Sequence, residues 1–144
     1  EDLEATGPVS AQLWISSSAL DTDFTAKLLD VYPPSSDYPE GYSLNLTDGI
    51  LRAKFHSSWS KPELLEPGKV YPITIGLYPT SNLFARGHRI RLDISSSNFP
   101  RFDVNGNTGE NPALSSVKVS AQNSVYHDAQ HPSHLILPVV AAEG

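Results

Sequence analysis

Apolar and polar residues alternate with a period of two along most of the chain. In the first clear segment one face is entirely apolar: Val9, Ala11, Leu13 and Ile15. Trp14 lies on the opposite face among polar residues, so this pattern predicts a half-buried strand. The segment 24–32 is apolar on both faces. It predicts a strand in the middle of a sheet or beneath a neighbouring domain.

The central part of the chain predicts a hairpin followed by an edge strand. Residues 42–46 form a short strand, Asp48-Gly49 has the composition of a two-residue hairpin turn, and 50–56 would return antiparallel. A later strand has four alternating apolar residues: Tyr71, Ile73, Ile75 and Leu77. Pro72 has no amide proton for a ladder, which predicts an edge or a bulge there.

The last third of the chain predicts three more strands. The first follows Gly87 and directs Ile90, Leu92 and Ile94 to one side. After a polar loop at 96–112, Val117, Val119 and Ala121 alternate with polar residues, and 135–140 forms a mostly apolar closing strand. A single helical turn is predicted near 81–85.

About eight short strands, separated by turns that contain many of the 12 prolines and 9 glycines, favour an all-β fold. We therefore predict one domain over residues 1–144, a jelly-roll β-sandwich of the galactose-binding-domain type. The chain begins with Glu1 and contains no Met. We expect it to be part of a longer protein.

Charge and composition exclude several classes of function. Ten Lys and Arg stand against sixteen Asp and Glu, a net charge of −6, and the basic residues are scattered, which argues against nucleic-acid binding. No apolar run reaches the roughly 20 residues that span a bilayer, so no membrane segment is predicted. The absence of Cys excludes disulfides, thiolate catalysis and Cys-based zinc sites. It does not fix the cellular compartment.

The histidine-rich segment near the C-terminus is the first candidate for chemistry. His127, His131 and His134 with Asp128 could ligate zinc, but the turn at Pro132 would separate the rings. The nucleophile motif G-x-S-x-G does not occur in the sequence. We therefore predict no metal site and no catalytic residue here.

Residues 103–110 imitate the start of a calcium-binding loop. The pattern fails at its sixth position, Thr108, where Gly is needed, and at its twelfth, Leu114, where Glu is needed. A turn-rich loop explains the segment better, and no cofactor is predicted.

Four aromatic residues are the candidate binding residues: Trp14, Trp59, Tyr38 and Tyr42. Exposed rings on a β-sandwich either stack on sugars or cover another domain. For Trp14 we favour a domain interface, because it neighbours the two-sided segment 24–31, and we expect an exposed apolar patch around both. Trp59 fits either role.

Several ordered motifs resemble one known family. They include Asp21-Thr22-Asp23-Phe24, Leu46-Thr47-Asp48-Gly49, Gly87-His88-Arg89-Ile90-Arg91-Leu92, Ser95-Ser96-Ser97-Asn98-Phe99-Pro100-Arg101-Phe102-Asp103 and His131-Pro132-Ser133-His134. With these the chain resembles, over nearly its whole length, the C-terminal domain of the X-prolyl dipeptidyl-peptidase and cocaine-esterase (CocE/NonD) group of α/β-hydrolases.

The resemblance implies a non-catalytic jelly roll that packs on the α/β-hydrolase catalytic domain of its parent chain, helps to form the substrate region and supports homo-oligomers. The catalytic triad of that family lies in the preceding domains, so no residue here takes a catalytic role. Two alternatives stay open: a carbohydrate-binding module for polysaccharide, and a small self-contained hydrolase. The sequence does not identify the parent's substrate among esters, amides and X-Pro peptides.

Overall fold

The computed structural model describes residues 1–141, which form two antiparallel sheets. The strands are β1 (Leu3–Ser17), β2 (Asp23–Tyr32), β3 (Tyr42–Arg52), β4 (Tyr71–Phe84), β5 (Arg89–Ser95), β6 (Asn123–Tyr126) and β7 (His134–Ile136), with one 3₁₀ turn at Ala53–Phe55. One sheet has the order β4-β1-β6, with β7 also paired to β1, and the other has the order β3-β2-β5. The later strand β4 returns to pair antiparallel with β1, and β5 returns to pair antiparallel with β2. The two sheets together form the predicted jelly-roll sandwich.

The core lies between the sheets and follows the period-two pattern. The predicted inward face of β1 is buried, and so are Tyr71, Ile73, Ile75 and Leu77 of β4. Among the described strands β4 pairs only with β1, so Pro72 lies in an edge strand as predicted. Within residues 1–141 no helix has the length and apolarity needed to cross a bilayer.

The predicted hairpin turn at Asp48-Gly49 is wrong. Residues 42–52 form one continuous strand, in which Asp48 pairs with Lys27 and Gly49 with Ala26. Gly49 is needed for another reason: a Cβ there would overlap the carbonyl oxygen of Gly76. Glycine lets β3 approach β4 closely at this corner, where the Thr47 hydroxyl also donates to the Tyr78 carbonyl over 2.8 Å.

Three other predicted elements differ from the structure. Residues 81–84 are the end of β4 and not a helical turn, because they pair with the start of β1. Residues 117–121 are not a strand, and Val117 and Val119 are exposed there. The closing segment is shorter than 135–140: β7 ends at Ile136, and Val139 forms only an isolated bridge to Ala5.

The strand β2 is the central strand of its sheet, as its two-sided apolar pattern predicted. The exposed apolar patch expected there is absent from the described surface: Phe24 is 1%, Leu28 0% and Leu29 6% exposed. Phe24 and Leu28 belong to the core, while Leu29 is flanked by Asn45 of β3 and Arg91 of β5. The prediction is wrong because one face of β2 packs in the core against the other sheet, while residues of β3 and β5 flank Leu29 on the opposite face.

Candidate functional site

The four aromatic residues singled out from the sequence lie in three separate places. Trp59 follows the 3₁₀ turn beyond Arg52, at the end of the sheet where Asp23 pairs with Arg52. Tyr38 and Tyr42 lie at the opposite end, where Tyr32 pairs with Tyr42. Nine residue steps of β2 separate the two ends, roughly 30 Å at about 3.3 Å per residue. Trp14 belongs to the other sheet, so no single aromatic row contains all four.

Trp59 lines a groove that the sequence did not predict. Two adjoining shallow cavities of ≈ 370 and ≈ 340 Å³ share Ile50 and Phe102 as lining residues. Five of the residues that line these cavities form what we call the aromatic groove: Ile50, Phe55, Trp59, Tyr78 and Phe102. Trp59 is 74% and Tyr78 64% exposed. Much aromatic area is therefore open to contact.

Arg101 holds the loop that supplies Phe102 to the groove. Its Nε forms a salt bridge to Asp48 with 3.2 Å between Nε and Oδ1. Its guanidinium carbon lies 5.8 Å from the Tyr78 ring centroid and 5.6 Å from that of Phe102. Asp48 is largely buried and also accepts a hydrogen bond from the Asn98 amide at 3.1 Å. One strand carboxylate therefore anchors both ends of the segment 98–101.

A buried polar cluster supports the next part of the same loop. The amide of Asn105 donates to Asp21 at 3.1 Å and to Asp23 at 2.8 Å. Asp23 is also paired with Arg52, whose Nε and Nη2 donate over 3.0 and 3.2 Å. Asp21 and Asp23 are 0% and 1% exposed. Such a network holds its members in one geometry because each buried carboxylate needs its donors.

The electrostatics of this cluster follow from burial and pairing. Burial is the largest influence on Asp21 and raises the pKa of its carboxyl, while hydrogen bonds from Asn105 and from the Lys54 backbone partly oppose it. For Arg52 the hydrogen bond to Asp23 is the largest influence, and it raises the pKa of the guanidinium. Arg52 therefore stays charged at the edge of the groove.

Tyr38 and Tyr42 form a second, smaller aromatic surface. Their rings stack with centroids 5.0 Å apart, and the side chains are 49% and 43% exposed. Tyr32 meets Tyr42 edge-on at 6.1 Å and lies 4.1 Å from the ring of His88. His88 in turn bonds the fully buried Asp30 through Nδ1 at 2.8 Å. The tyrosine pair thus contacts the rest of the fold through Tyr32, while part of both rings is exposed to solvent.

The loop after β6 partly covers Trp14. The Trp14 ring meets the His131 ring edge-on at 5.2 Å, and its backbone amide donates to the Ser133 hydroxyl at 2.9 Å. Trp14 is only half-buried, but part of its surface is used within the chain. Less of it is available for the domain interface that we predicted.

The histidines of this loop point to different partners. His131 bonds Asp128 through Nδ1 at 3.0 Å, whereas His134 bonds the Pro132 carbonyl oxygen at 2.7 Å. The hydrogen bond from His131 is the largest influence on the Asp128 carboxyl, and it lowers the pKa of Asp128. Across residues 1–141, no group of three or more His, Cys, Asp or Glu side chains is arranged to hold a metal ion.

Sequence reasoning missed most of the groove and the whole buried cluster. Arg101 and Phe102 belong to the motif 95–103, but nothing in the sequence pattern indicated that they contact β3 and β4. Asp21 and Asp23 alternate at the start of a strand, a signal for two carboxylates on one face. Asn105 lies in the segment that imitates a calcium-binding loop, although an amide can also bridge two carboxylates through its two N–H donors.

Comparisons with known proteins agree on one family. The family described as "X-Pro dipeptidyl-peptidase C-terminal non-catalytic domain" matches residues 1–136. Cocaine esterase from Rhodococcus sp. (strain MB1 Bresler) is 44% identical over an alignment of 142 residues, which covers 97% of this chain and 24% of the esterase. The chain therefore spans about a quarter of the length of that relative.

Two solved structures have the same fold. An aminopeptidase from a marine sediment Thaumarchaeota archaeon superposes with a TM-score of 0.91 at 29% identity, over 98% of this chain and 24% of the aminopeptidase. An α-amino acid ester hydrolase superposes with a TM-score of 0.90 at 31% identity, over 97% of this chain and 24% of that enzyme.

Proposed function

Because the chain belongs to the family of X-Pro dipeptidyl-peptidase C-terminal non-catalytic domains, we propose that it is the structural domain of a serine hydrolase and packs on the catalytic domain through the aromatic groove. The parent would be an acyl esterase or an X-Pro dipeptidyl-peptidase, in keeping with the relatives named above. The chain would carry out no reaction itself. It would help to form the substrate region and to support oligomers.

The observation that carries this proposal is the exposure of Trp59 and Tyr78 along one groove. Large aromatic rings left in water are costly in a free domain and are typical of the centre of an interface. The catalytic domain is the proposed partner because this chain spans only 24% of the length of cocaine esterase. In a parent of similar length, the domain would lie beside a much larger remainder of the same chain.

The surroundings of the groove also suit a protein partner. Arg52 and Arg101 stand at its rim, and arginine and aromatic residues are enriched in protein interfaces. Both guanidinium groups are already paired, to Asp23 and Asp48. The rim therefore has a fixed shape before the catalytic domain docks, which reduces the ordering cost of association.

The test is a calorimetric study of the parent hydrolase with Trp59→Ser and Tyr78→Ser together. Both side chains are mostly exposed, so the domain should keep its own stability to within about 0.5 kcal/mol. We expect the unfolding of this domain to separate from that of the catalytic domain and to occur at a lower temperature, because the domain loses the stabilisation that docking supplies.

Tyr42→Ser is the matched control, since Tyr42 is 43% exposed but lies at the far end of the sheet. It should leave the unfolding profile of the parent unchanged. If the groove variant unfolds like the parent while Tyr42→Ser separates the transitions, docking would involve the tyrosine end and the proposed surface would be wrong.

A carbohydrate-binding role is the second candidate, and the stacked Tyr38–Tyr42 pair favours it. A stacked, half-exposed pair offers a flat surface for a sugar ring. Affinity gels with soluble polysaccharides would test this with Tyr42→Ala and Trp59→Ala. Retention that Tyr42→Ala abolishes would support a glycan site at the tyrosine end, and no retention across the panel would remove this candidate.

A further inference from the structure

The pair Asn105-Gly106 combines a reactive sequence with a buried position. In an Asn-Gly pair the backbone nitrogen reaches the side-chain amide easily, because glycine has no side chain to hinder the approach. This pair occurs once in the sequence. Asn105 is only 8% exposed, and its amide bridges the buried carboxylates of Asp21 and Asp23. A chemically reactive side chain therefore lies at the centre of the buried polar cluster.

The reaction open to this pair is the loss of ammonia from the Asn105 side chain, a known route of heat damage to asparagine. The backbone nitrogen of Gly106 attacks the side-chain carbonyl carbon, and a C–N bond forms. The Nδ2 group leaves as ammonia and takes the proton that the Gly106 nitrogen gives up. Water then adds to one carbonyl of the succinimide ring and breaks one of its C–N bonds. The product is aspartate or isoaspartate, and no oxidant, metal or enzyme is required.

The side-chain amide of Asn105 is held at three points in the folded chain. Nδ2 donates to Asp21 and Asp23, and Oδ1 accepts from the Asn107 backbone amide at 2.9 Å. The attacking nitrogen must approach the carbonyl carbon from one face of the amide plane. The three hydrogen bonds restrict how far this plane can turn, since breaking them would leave buried polar groups without partners.

The backbone that carries the attacking nitrogen is held as well. The Gly106 carbonyl accepts from the Val119 amide at 3.0 Å, and the Asn107 side-chain amide donates to the Val119 carbonyl at 2.8 Å. Gly106 also lies so close to Val117 that a Cβ would overlap the Val117 carbonyl oxygen. The two segments are thus fastened together, and the Gly106 nitrogen gains freedom only when they separate.

The product of the reaction does not suit the buried site. An aspartate at position 105 would place a third carboxylate against Asp21 and Asp23, where an amide now donates to both. Two other donors in the cluster, the Arg52 guanidinium and the Lys54 backbone amide, are already bonded to these aspartates. Like charges in a buried site disfavour the ionised forms. An isoaspartate would in addition lengthen the backbone by a methylene group.

From the reactive pair and its buried contacts we infer that Asn105 is a site of spontaneous deamidation, gated by opening of the segment 103–119, and that the modified segment no longer closes on Asp21 and Asp23. The folded network delays the reaction, since only molecules with the segment open can react. Refolding cannot reverse the change, because the amide nitrogen has left as ammonia. The inference concerns contacts within the chain and is independent of the proposed function.

The first test compares the folded chain with the chain in urea. Both are kept in the same mildly alkaline buffer, and peptide mapping by mass spectrometry measures the conversion of Asn105 to aspartate and isoaspartate. We expect conversion in urea to be about tenfold or more faster, because the segment is then always open. Equal rates in the two states, or no conversion in urea, would overturn the inference.

Asn107→Gly tests the gate in the folded chain. Glycine accepts the left-handed backbone at this position, where φ is 63°, and removes the side-chain bond to Val119. The folded variant should deamidate at position 105 several-fold faster than the unmodified chain, whereas both should react at the same rate in urea.

Asn111→Gly is the matched control for the gate. Asn111 is exposed in the same loop, and its side chain accepts a hydrogen bond from the Ala113 amide within its own turn. This variant should deamidate at position 105 as slowly as the unmodified chain. If Asn107→Gly and Asn111→Gly react equally when folded, or if neither reacts, the gated site is wrong.

Asn105→Asp reproduces the product and measures its effect on the fold. We expect the Tm to fall by roughly 5 °C or more, because a third carboxylate enters the buried site. The same change in an Asp21→Asn background should lower the Tm clearly less, since the number of buried carboxylates returns to two. If Asn105→Asp does not fold alone, recovery of folding by Asp21→Asn supports the same conclusion.

Thermal melts followed by circular dichroism give these Tm values and show that the glycine variants are folded. An unchanged Tm for Asn105→Asp, or equal losses in the two backgrounds, would contradict the inferred effect of the third carboxylate.

Discussion

Gly49 is a residue at which the two sheets approach each other closely, because β3 meets β4 there. A Cβ on Gly49 would overlap the Gly76 carbonyl oxygen, whereas a Cβ on Gly76 would meet no atom within 4 Å. The two glycines face each other across this corner, yet only one needs to lack a side chain. Glycine is therefore required at position 49 because a side chain would not fit there, and not because the chain turns there.

Gly49→Ala should lower the free energy of unfolding by about 1–3 kcal/mol, the usual cost of overpacking, because backbone must move to make room. Gly76→Ala should leave it unchanged or raise it slightly, since a strand residue with a side chain is less flexible when unfolded. Urea denaturation of both variants measures this. Equal effects of the two substitutions would contradict the close approach of β3 and β4.

Asn105 is the second residue whose role is set by neighbours distant in sequence. Asn105→Ala removes the donor shared by Asp21 and Asp23 and should cost about 1–3 kcal/mol at neutral pH, because two buried carboxylates lose a hydrogen bond. Asn45→Ala, in an exposed position on β3, should change stability by less than about 0.5 kcal/mol.

The cost of Asn105→Ala should depend on pH through Asp21. Burial raises the pKa of Asp21 above its ordinary 3.8, so above pH 3.8 the folded state binds more protons at this group than the unfolded state does. The stability that Asp21 contributes therefore falls as the pH rises from 3.8 through the pKa of the folded state. Loss of the Asn105 hydrogen bond raises that pKa further. The difference between variant and parent should therefore be smaller at acidic pH than at pH 7. A pH-independent difference in denaturation midpoints would contradict this account.

At the scale of elements, the sequence predicted strands wherever burial alternates strictly. The strands β1, β4 and β5 were located because each has one face on the core, and β2 because both faces are covered. The prediction failed at 117–121, where apolar and polar residues alternate but the segment pairs with no strand of the described chain. It also failed at Asp48-Gly49, where the local composition suggested a turn inside what is a continuous strand. Pairing with β2 overrides the turn preference of Asp-Gly. The groove was not predictable because its residues come from β3, β4 and two loops.

The loop 98–102 depends on Asp48, which binds both Asn98 and Arg101. Asp48→Ala should free this segment and increase the rate of tryptic cleavage after Arg101 several-fold, because proteases cleave segments that open locally. Asp93→Ala is a suitable control, since Asp93 is ion-paired to Arg91 on the exposed face of β5. Equal cleavage of the two variants would show that Asp48 does not anchor the loop.

At the scale of the whole molecule, two aromatic surfaces of the sandwich have separate roles in the proposals. The aromatic groove lies at one end of the β2–β3 pair, and the stacked tyrosines lie at the other. Each surface can be altered by substitutions of exposed side chains, without changing the core that both share.

Hydroxyl-radical footprinting distinguishes these surfaces in a single experiment. In the isolated chain Trp59 and Tyr78 should be oxidised rapidly, because they are 74% and 64% exposed. In the full parent hydrolase we expect both rates to fall several-fold, since docking would exclude water from the aromatic groove. Tyr38 and Tyr42 serve as internal controls and should react equally in the two proteins. Protection of the tyrosine pair with unchanged oxidation of Trp59 would place the catalytic domain at the opposite end of the sandwich and would reassign the groove to solvent or to another ligand.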